Sequence, residues 1–200
     1  MNNTSDIYTN DPYKTFADWL DMAKASEIND PNAMNLATST PDGRPSNRMV
    51  LLNGLDQRGF VFFTNAESRK GEQLLANPFA ALCFHWKTLR KQVRIEGRVE
   101  IVSDEEANAY YNSRPRLSRV GSWASKQSRK LDKFEDLKSA VEKYEQEFEG
   151  TEDIPRPPYW KGFRVIPERI EFWIDGEFRL HRRYVFEPQE NGWNVYMINP

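Results

Sequence analysis

The chain is poor in the side chains that usually announce chemistry. It has 200 residues but one cysteine, Cys83, and two histidines, His85 and His181. A lone cysteine closes no internal disulfide, and its place in the apolar run FAALCFHW predicts a buried thiol and a reducing compartment. Cys83 beside His85 lacks zinc-ligand spacing and reads as core packing, so no metal is expected. GxGxxG, GxxxxGK[ST] and GxSxG are all missing, which removes a Rossmann fingerprint, a P-loop and an acyl-transfer elbow. No apolar run approaches a membrane span, and MNNTSDIYTNDPYK lacks the basic-then-apolar order of a signal peptide. With Lys+Arg 28 against Asp+Glu 30, net charge −2, there is no general field for nucleic acid. These absences predict a soluble, cytoplasmic protein bound to neither membrane nor nucleic acid, and any cationic site in it must be local.

What is present is an alternation pattern. Residues 12–26 place Phe16, Trp19, Leu20 and Ala23 at helical spacing. From Met34 to about Ile101 the chain reads as strands joined by PDGR and DQRG turns; within 92–101, Gln92, Arg94, Glu96, Arg98 and Glu100 alternate with Val93, Ile95, Gly97, Val99 and Ile101 as a core face. ESRKGEQLLANP predicts a short helix ended by Asn77-Pro78, and Ser103 to Glu106 a capping box opening a helix that stops before Pro115. Residues 133–149 predict a charged helix with a stripe at Leu137, Val141, Tyr144 and Phe148. Strands return from 163 onward. Strands without regular βαβ alternation imply an α+β protein, mainly β, built as a closed or nearly closed antiparallel barrel with peripheral helices. One domain over 12–200 follows a disordered tail over 1–11.

The local cations are Arg48 in a strand, Ser68-Arg69-Lys70 at a helix start, Tyr110 with Arg114 one helical turn on, and the stretch EFRLHRRYVF, residues 177–186. Read as a strand, that stretch lines up Arg179, His181 and Arg183 on one face. Such a face is either a solvated sheet edge or an anion site. A helix start bearing Arg and Lys suits a phosphate, and with Phe63, Trp123 and Trp173 near these cations in sequence, the set suggests a barrel for one or two phosphorylated aromatic ligands.

The stretches RMVLLN, FFTNAESRKG, KQVRIEG, YYNSRPRLSRVGSWASKQS, IEFW and RLHRR, in this order from about residue 34 to the C-terminus, resemble the pyridoxine/pyridoxamine 5′-phosphate oxidases. The resemblance implies an FMN-binding split β-barrel, a homodimer with flavin sites at the subunit interface, and oxidation of pyridoxine or pyridoxamine 5′-phosphate to pyridoxal 5′-phosphate, with O2 reoxidising the flavin to give hydrogen peroxide. Carried over by motif, it implies FMN contacts at Arg48, Met49, Val50, Leu51 and Leu52, at Phe63 and Thr64, and at Arg69 and Lys70. Further FMN contacts fall at Gln92, Gln127, Ser128, Trp173 and Arg183. Substrate contacts fall at Asn53, Tyr110, Arg114 and Ser118, with Arg179 and His181 as the catalytic pair that holds the pyridine ring against the flavin. This assignment favours a three-residue turn, Asp175-Gly176-Glu177, which sets Trp173 opposite Arg179 and Glu171 opposite His181, over a two-residue turn pairing Ile174 with Glu177.

Three motifs depart from the family pattern. Asn53 stands where RMVLLK has lysine, Arg182 where RLHDR has an acid, and MINP where the chain usually ends RLAP. The MNNTSDIYTN start also lacks the basic stretch of the bacterial type. These departures bear on substrate more than on FMN. Two alternatives stand beside the oxidase: a related split-barrel flavoenzyme acting on another ring, such as a phenazine-pathway oxidase, and a non-catalytic FMN- or pyridoxal-phosphate-binding protein.

Overall fold

The computed structural model describes Ile7 and residues 10–200, so most of the tail expected over 1–11 lies outside the described residues. Helix α1, Pro12–Ser26, starts where the Asp11 carboxylate accepts from the Tyr13 and Lys14 amides and Pro12 takes the first turn. Its apolar face is buried as the spacing predicts. Phe16 meets Phe60 and Phe84 edge-on at 5.0 and 4.8 Å, and Trp19 meets Phe172 at 5.0 Å.

Among the described residues nine strands form one antiparallel sheet. They are β1 Ala33–Ser39, β2 Pro45–Leu51, β3 Gly54–Asp56, β4 Gly59–Asn65, β5 Phe79–Trp86, β6 Lys91–Ile101, β7 Trp160–Ile174, β8 Arg182–Gln189 and β9 Gly192–Ile198. The order runs β2-β1-β5-β6-β7-β4-β3, with β8 on β7 and β9 on β8. Strand β7 has 15 residues and serves two partners on one edge: Trp160 to Val165 pair with β4, and Ile170 to Ile174 with β8. Along its other edge β6 pairs from Phe163 to Ile174, with a bulge at Glu96/Gly97. The sheet therefore divides along β7 and curls as an antiparallel split barrel with peripheral helices, the fold class expected from sequence. Among the described residues no helix is long and apolar enough to cross a membrane.

Several local expectations need correction. Val93, Ile95 and Val99 are buried as the alternation requires, but Ile101 is exposed. Cys83 is not core: Leu82, Phe84 and Trp86 face inward, while Cys83 and His85 face away from the core, opposite Arg94 and Gln92. Cys83 is only half-buried, though that burial pushes its thiol pKa up. The capping box of α3, Asp104–Ser113, is half made. Ser103 Oγ accepts from the Glu106 amide at 3.2 Å, but the Glu106 carboxylate turns to Arg164 Nη2 at 2.7 Å. Helix α2, Arg69–Ala76, and helix α5, Phe134–Glu147, match their patterns. Helix α4, Arg116–Ala124, was not anticipated.

The largest correction concerns residues 177–186. Strand β8 begins only at Arg182, and the register pairs Trp173 with Arg183 and Ile174 with Arg182, so neither short turn forms. Residues 175–181 make a longer loop around a single 3₁₀ turn, Glu177–Arg179, with Phe178 and Arg179 at φ 55° and 64°. The cause lies in neighbouring chain. The Asp175 amide donates to Arg90 O at 3.1 Å, which holds Asp175 against the β5–β6 turn instead of releasing it into a hairpin. At Gly176 a Cβ would stand 2.1 Å from Leu180 O, so the loop crosses itself where only glycine fits. Arg179, His181 and Arg183 therefore share no strand face.

Candidate active site

A cavity of about 650 Å³ opens between β2, β4, the start of α2 and the end of α3. Its lining includes Arg48, Met49, Val50, Leu51, Asn53, Phe63, Thr64, Arg69, Lys70, Tyr110, Arg114, Gln127 and Ser128, all expected from sequence. Ser118 lines the adjoining hollow with Arg114 and Gln127. Leu52 is the exception on β2's side: it is buried in the hydrophobic core, its amide donating to Asn32 O at 2.9 Å. Next to an edge strand whose residues alternate, one neighbour of a lining residue must point inward.

One end of the cavity is cationic and unneutralised. Lys70 is 8% exposed, and its Nζ donates to Gln127 Oε1 at 3.0 Å, Ser68 Oγ at 3.2 Å and Thr64 Oγ1 at 3.3 Å. Arg48 donates to Leu36 O, Thr38 Oγ1 and Ser46 Oγ at 3.1, 2.6 and 2.7 Å. Thr38 and Ser46 in turn donate to Gln73 Oε1 of α2. Among the described residues neither cation has a carboxylate partner. Burial pushes the Lys70 pKa down, with Arg48's charge adding to it. Arg48 is pushed down likewise, by burial and then by Arg69. Neutral acceptors fix the geometry without supplying charge. Three cations beside the first amides of α2 thus form a seat for a phosphate-sized anion. Gly71 permits the close packing of this helix, since a Cβ there would stand 2.4 Å from Ala66 O.

The other end is aromatic. Phe63 stacks on Tyr110 at 4.2 Å and on Trp160 at 5.0 Å, with interplanar angles of 10° and 7°. The Arg114 guanidinium lies over the Trp160 ring at 5.1 Å and donates to Ser122 Oγ at 2.7 Å. Burial pushes its pKa down too. Asn53 Nδ2 donates to Tyr110 OH at 2.5 Å, which occupies a hydroxyl lone pair and leaves the phenolic proton free to point into the cavity. Arg116 and Arg119 do not replace the missing charge at 53. Arg116 donates to Phe148 O and Thr151 O at 2.7 Å, and Arg119 to Glu152 O at 3.4 Å, which ties them to the end of α5.

The remaining expected residues form a second cluster. Gln92 pairs with Trp173 and Trp173 with Arg183 across β6, β7 and β8. His181 returns from the loop to lie 4.6 Å from the Trp173 ring. Here the charges are paired. Buried Glu171, 4% exposed, accepts from Arg183 Nε at 2.8 Å and Nη2 at 3.0 Å, and Arg183 Nη1 donates to Asn199 O at 3.1 Å. Arg183 thus spends three of its five N–H donors inside the chain. His181 Nδ1 sits 3.0 Å from Asp175 Oδ1. Arg179 stands exposed on the 3₁₀ turn and makes no ion pair with a described residue.

Trp160 belongs to the cavity and Trp173 to this cluster, yet they lie near opposite ends of β7, roughly 40 Å of extended strand. The described chain does not bring the two groups together. Sequence reading also passed over Thr38, Ser46, Gln73, Trp160 and Ser122, and placed Glu171 and Asp175 only in a turn register, without a role. Only Glu171 carried a readable signal, an acid two residues from Trp173 and so on the same strand face.

The family model described as pyridoxamine 5′-phosphate oxidase matches residues 20–173, and that described as pyridoxine 5′-phosphate oxidase C-terminal dimerisation region matches residues 160–200. A pyridoxine/pyridoxamine 5′-phosphate oxidase of Gluconobacter oxydans is 59% identical over 194 residues, 95% of this chain and 94% of its own. That of Brucella anthropi is 56% identical over the whole of both chains. Among solved structures, PhzG from Burkholderia lata in complex with tetrahydrophenazine-1-carboxylic acid aligns with a TM-score of 0.91 at 30% identity, over 100% of this chain and 98% of that one. With the fold, the cavity and these matches in agreement over nearly its full length, the chain belongs to the pyridoxamine 5′-phosphate oxidase family.

Proposed function

We propose that the chain is an FMN-dependent oxidase that converts pyridoxamine and pyridoxine 5′-phosphates to pyridoxal 5′-phosphate, working as a homodimer whose two sites each combine the cavity of one chain with the Trp173 cluster of the other. The observation that carries this reading is the cationic seat of Arg48, Arg69 and Lys70 at the start of α2, with no carboxylate among its described lining residues and adjoining a wall of stacked rings. It fits the phosphate of FMN. When bound, FMN supplies the redox chemistry, taking two electrons from the C4′ carbon and passing them to O2.

The chain's own residues bind, orient and exclude water. Arg48, Arg69 and Lys70, with Gln127 and Ser128, hold the FMN phosphate, and Met49, Val50, Leu51, Phe63 and Thr64 line the path toward the ring. Gln92 can meet the flavin edge with both a donor and an acceptor, beside Trp173 and Arg183. Arg114, Tyr110 and Ser118 hold the substrate phosphate, and Arg179 with His181 turns the pyridine so that its C4′ side faces the flavin. Orientation of this kind supplies several kcal/mol of a barrier, about 7 or more in favourable cases. Supplying the two clusters from two chains answers their distance along β7, and the dimerisation region matched over residues 160–200 supports it.

A second reading is favoured by one residue. Asn53 removes a cation from the substrate end, as suits a ring without a phosphate, and the Burkholderia lata relative was crystallised with such a ring. Arg114 and the higher identity to the oxidases weigh for the first reading. FMN-loaded protein mixed in air with pyridoxamine 5′-phosphate decides: aldehyde and peroxide in equal amounts are expected, and the absence of both products removes the reading. The shared site has its own test. Coexpressed Lys70→Met and Arg183→Met chains should form mixed dimers with one intact site and recover activity, whereas mixtures no better than either parent overturn it.

A further inference from the structure

Gln73 lies on α2 outside the cavity lining, and the proposed function gives it no task. It is 6% exposed, and its amide oxygen accepts from Thr38 Oγ1 at 2.6 Å and from Ser46 Oγ at 2.7 Å. The same two hydroxyls hold Arg48. Its Nη1 donates to Thr38 Oγ1 at 2.6 Å and its Nη2 to Ser46 Oγ at 2.7 Å. A guanidinium only donates, and a hydroxyl has one proton. With that proton given to Gln73, each hydroxyl turns a lone pair toward Arg48. A carbonyl oxygen has two lone pairs, so one buried amide orients both acceptors at once. Thr38 is 3% exposed, which leaves little water to take the place of Gln73.

This relay joins the two elements that carry the cations. Gln73 follows Arg69 and Lys70 by one turn of the same helix, while Arg48 stands on β2. Like charges brought together repel, and a long side chain free to turn loses rotamer freedom when an anion fixes it. The relay restrains Arg48 without adding charge, whereas a carboxylate in place of the amide would hold the guanidinium and also neutralise it. With Leu36 O included, Arg48 spends three of its five N–H donors among the described residues and keeps Nε–H and one Nη2 hydrogen for a ligand.

We propose that Gln73 is a positioning residue for Arg48: through the Thr38 and Ser46 hydroxyls it fixes the guanidinium across β1 and β2, where it meets the phosphate of FMN beside Arg69 and Lys70 of Gln73's own helix. This role rests on the assignment of the seat to the FMN phosphate and not on the oxidation of any substrate.

A double-mutant cycle of Gln73→Met and Arg48→Met tests it, with the Kd of FMN and of riboflavin, which lacks the phosphate, read by fluorescence on the full-length protein freed of flavin. Gln73→Met should raise the FMN Kd about tenfold and leave that of riboflavin within about twofold. In the Arg48→Met background the same change should alter the FMN Kd by less than about twofold, because the group it positions is gone. A side chain that merely supports α2 would weaken both flavins alike and add its effect to that of Arg48→Met. Thr38→Val removes one hydroxyl of the relay and keeps its shape; carried through the same cycle, it should raise the FMN Kd about threefold, and it decides if Gln73→Met does not fold. An unchanged FMN Kd, additive effects, or equal losses for FMN and riboflavin overturn the proposal. If Arg48→Met leaves FMN affinity unaltered, the phosphate seat falls and the proposal with it. Coupled effects in a protein that oxidises neither phosphorylated substrate support the role of Gln73 and overturn the enzymatic reading alone.

Discussion

The two ends of β7 treat charge in opposite ways. At the Trp160 end, Arg48, Lys70 and Arg114 are buried to differing degrees against neutral acceptors and rings, and burial depresses the pKa of each. At the Trp173 end, Arg183 is paired with Glu171, and Asp175 with both His181 and Arg90. The first end is electrostatically incomplete and gains most from an anion. At the second, Arg183 and Arg90 already have carboxylate partners before any ligand arrives, and of the expected site cations only exposed Arg179 stands outside these pairs. Under the proposed function the first end would hold a phosphate and the second would orient the reacting carbon, which demands the tighter geometry.

The comparison is broken most severely by removing a carboxylate from the paired end. Glu171→Ala strips Arg183 of its bidentate partner and leaves a cation in a partly buried site; a loss of about 3 kcal/mol is expected. For a chain of this length that is a fall of roughly 6–12 °C in the apo-protein Tm, read by circular dichroism, and a shift within 2 °C would show that the pair contributes little.

Removing a cation from the incomplete end should do the reverse. Lys70→Met deletes a charge that costs stability until an anion binds, so the apo-protein should be no less stable while FMN affinity drops roughly tenfold to a hundredfold in a fluorescence titration. The pH dependence has a definite sign. Because burial lowers the Lys70 pKa below 10.5 in the folded state, the folded chain holds fewer protons than the unfolded chain in the alkaline window beneath that value, and apo-protein stability from this group rises with pH there. Saturating FMN should flatten that rise, and Lys70→Met should abolish it. An unaltered profile in the variant would place the proton uptake elsewhere.

Adding a cation sharpens the contrast with a smaller effect. Asn53→Lys supplies the charge that the family motif carries and that Arg116 and Arg119, tied to the end of α5, do not replace. KM for pyridoxamine 5′-phosphate should fall about tenfold. An unchanged value would mean that the Asn53–Tyr110 hydrogen bond already serves the purpose.

Local signals were readable where the chemistry is local. Asp11-Pro12 and Ser68 fix two helix starts within a few residues, and Ser68-Arg69-Lys70 could be read as an anion seat because capping and charge are carried by one short stretch. Helix α4 was missed because Pro115, read as an end, also opens the next helix, and because Gly121 weakens the helical pattern. The loop 175–181 was misread for another reason. Its shape depends on Arg90, some eighty-five residues earlier, and on a contact between Gly176 and Leu180 that no turn rule encodes.

The sequence by itself determined the split-barrel class, the family and nearly every residue of the cavity, because alternation, capping and ordered motifs are properties of neighbouring positions. Only the tertiary structure decided that Arg179, His181 and Arg183 share no strand face, that the expected site residues fall into two groups at opposite ends of β7, and that Glu171 pairs with Arg183 in one group while no carboxylate among the described residues pairs with Arg48 or Lys70 in the other. Partner choice between distant charges is set by register and by contacts across strands, and a carboxylate that could pair with many cations in an unfolded chain pairs with one only when the sheet has brought it there.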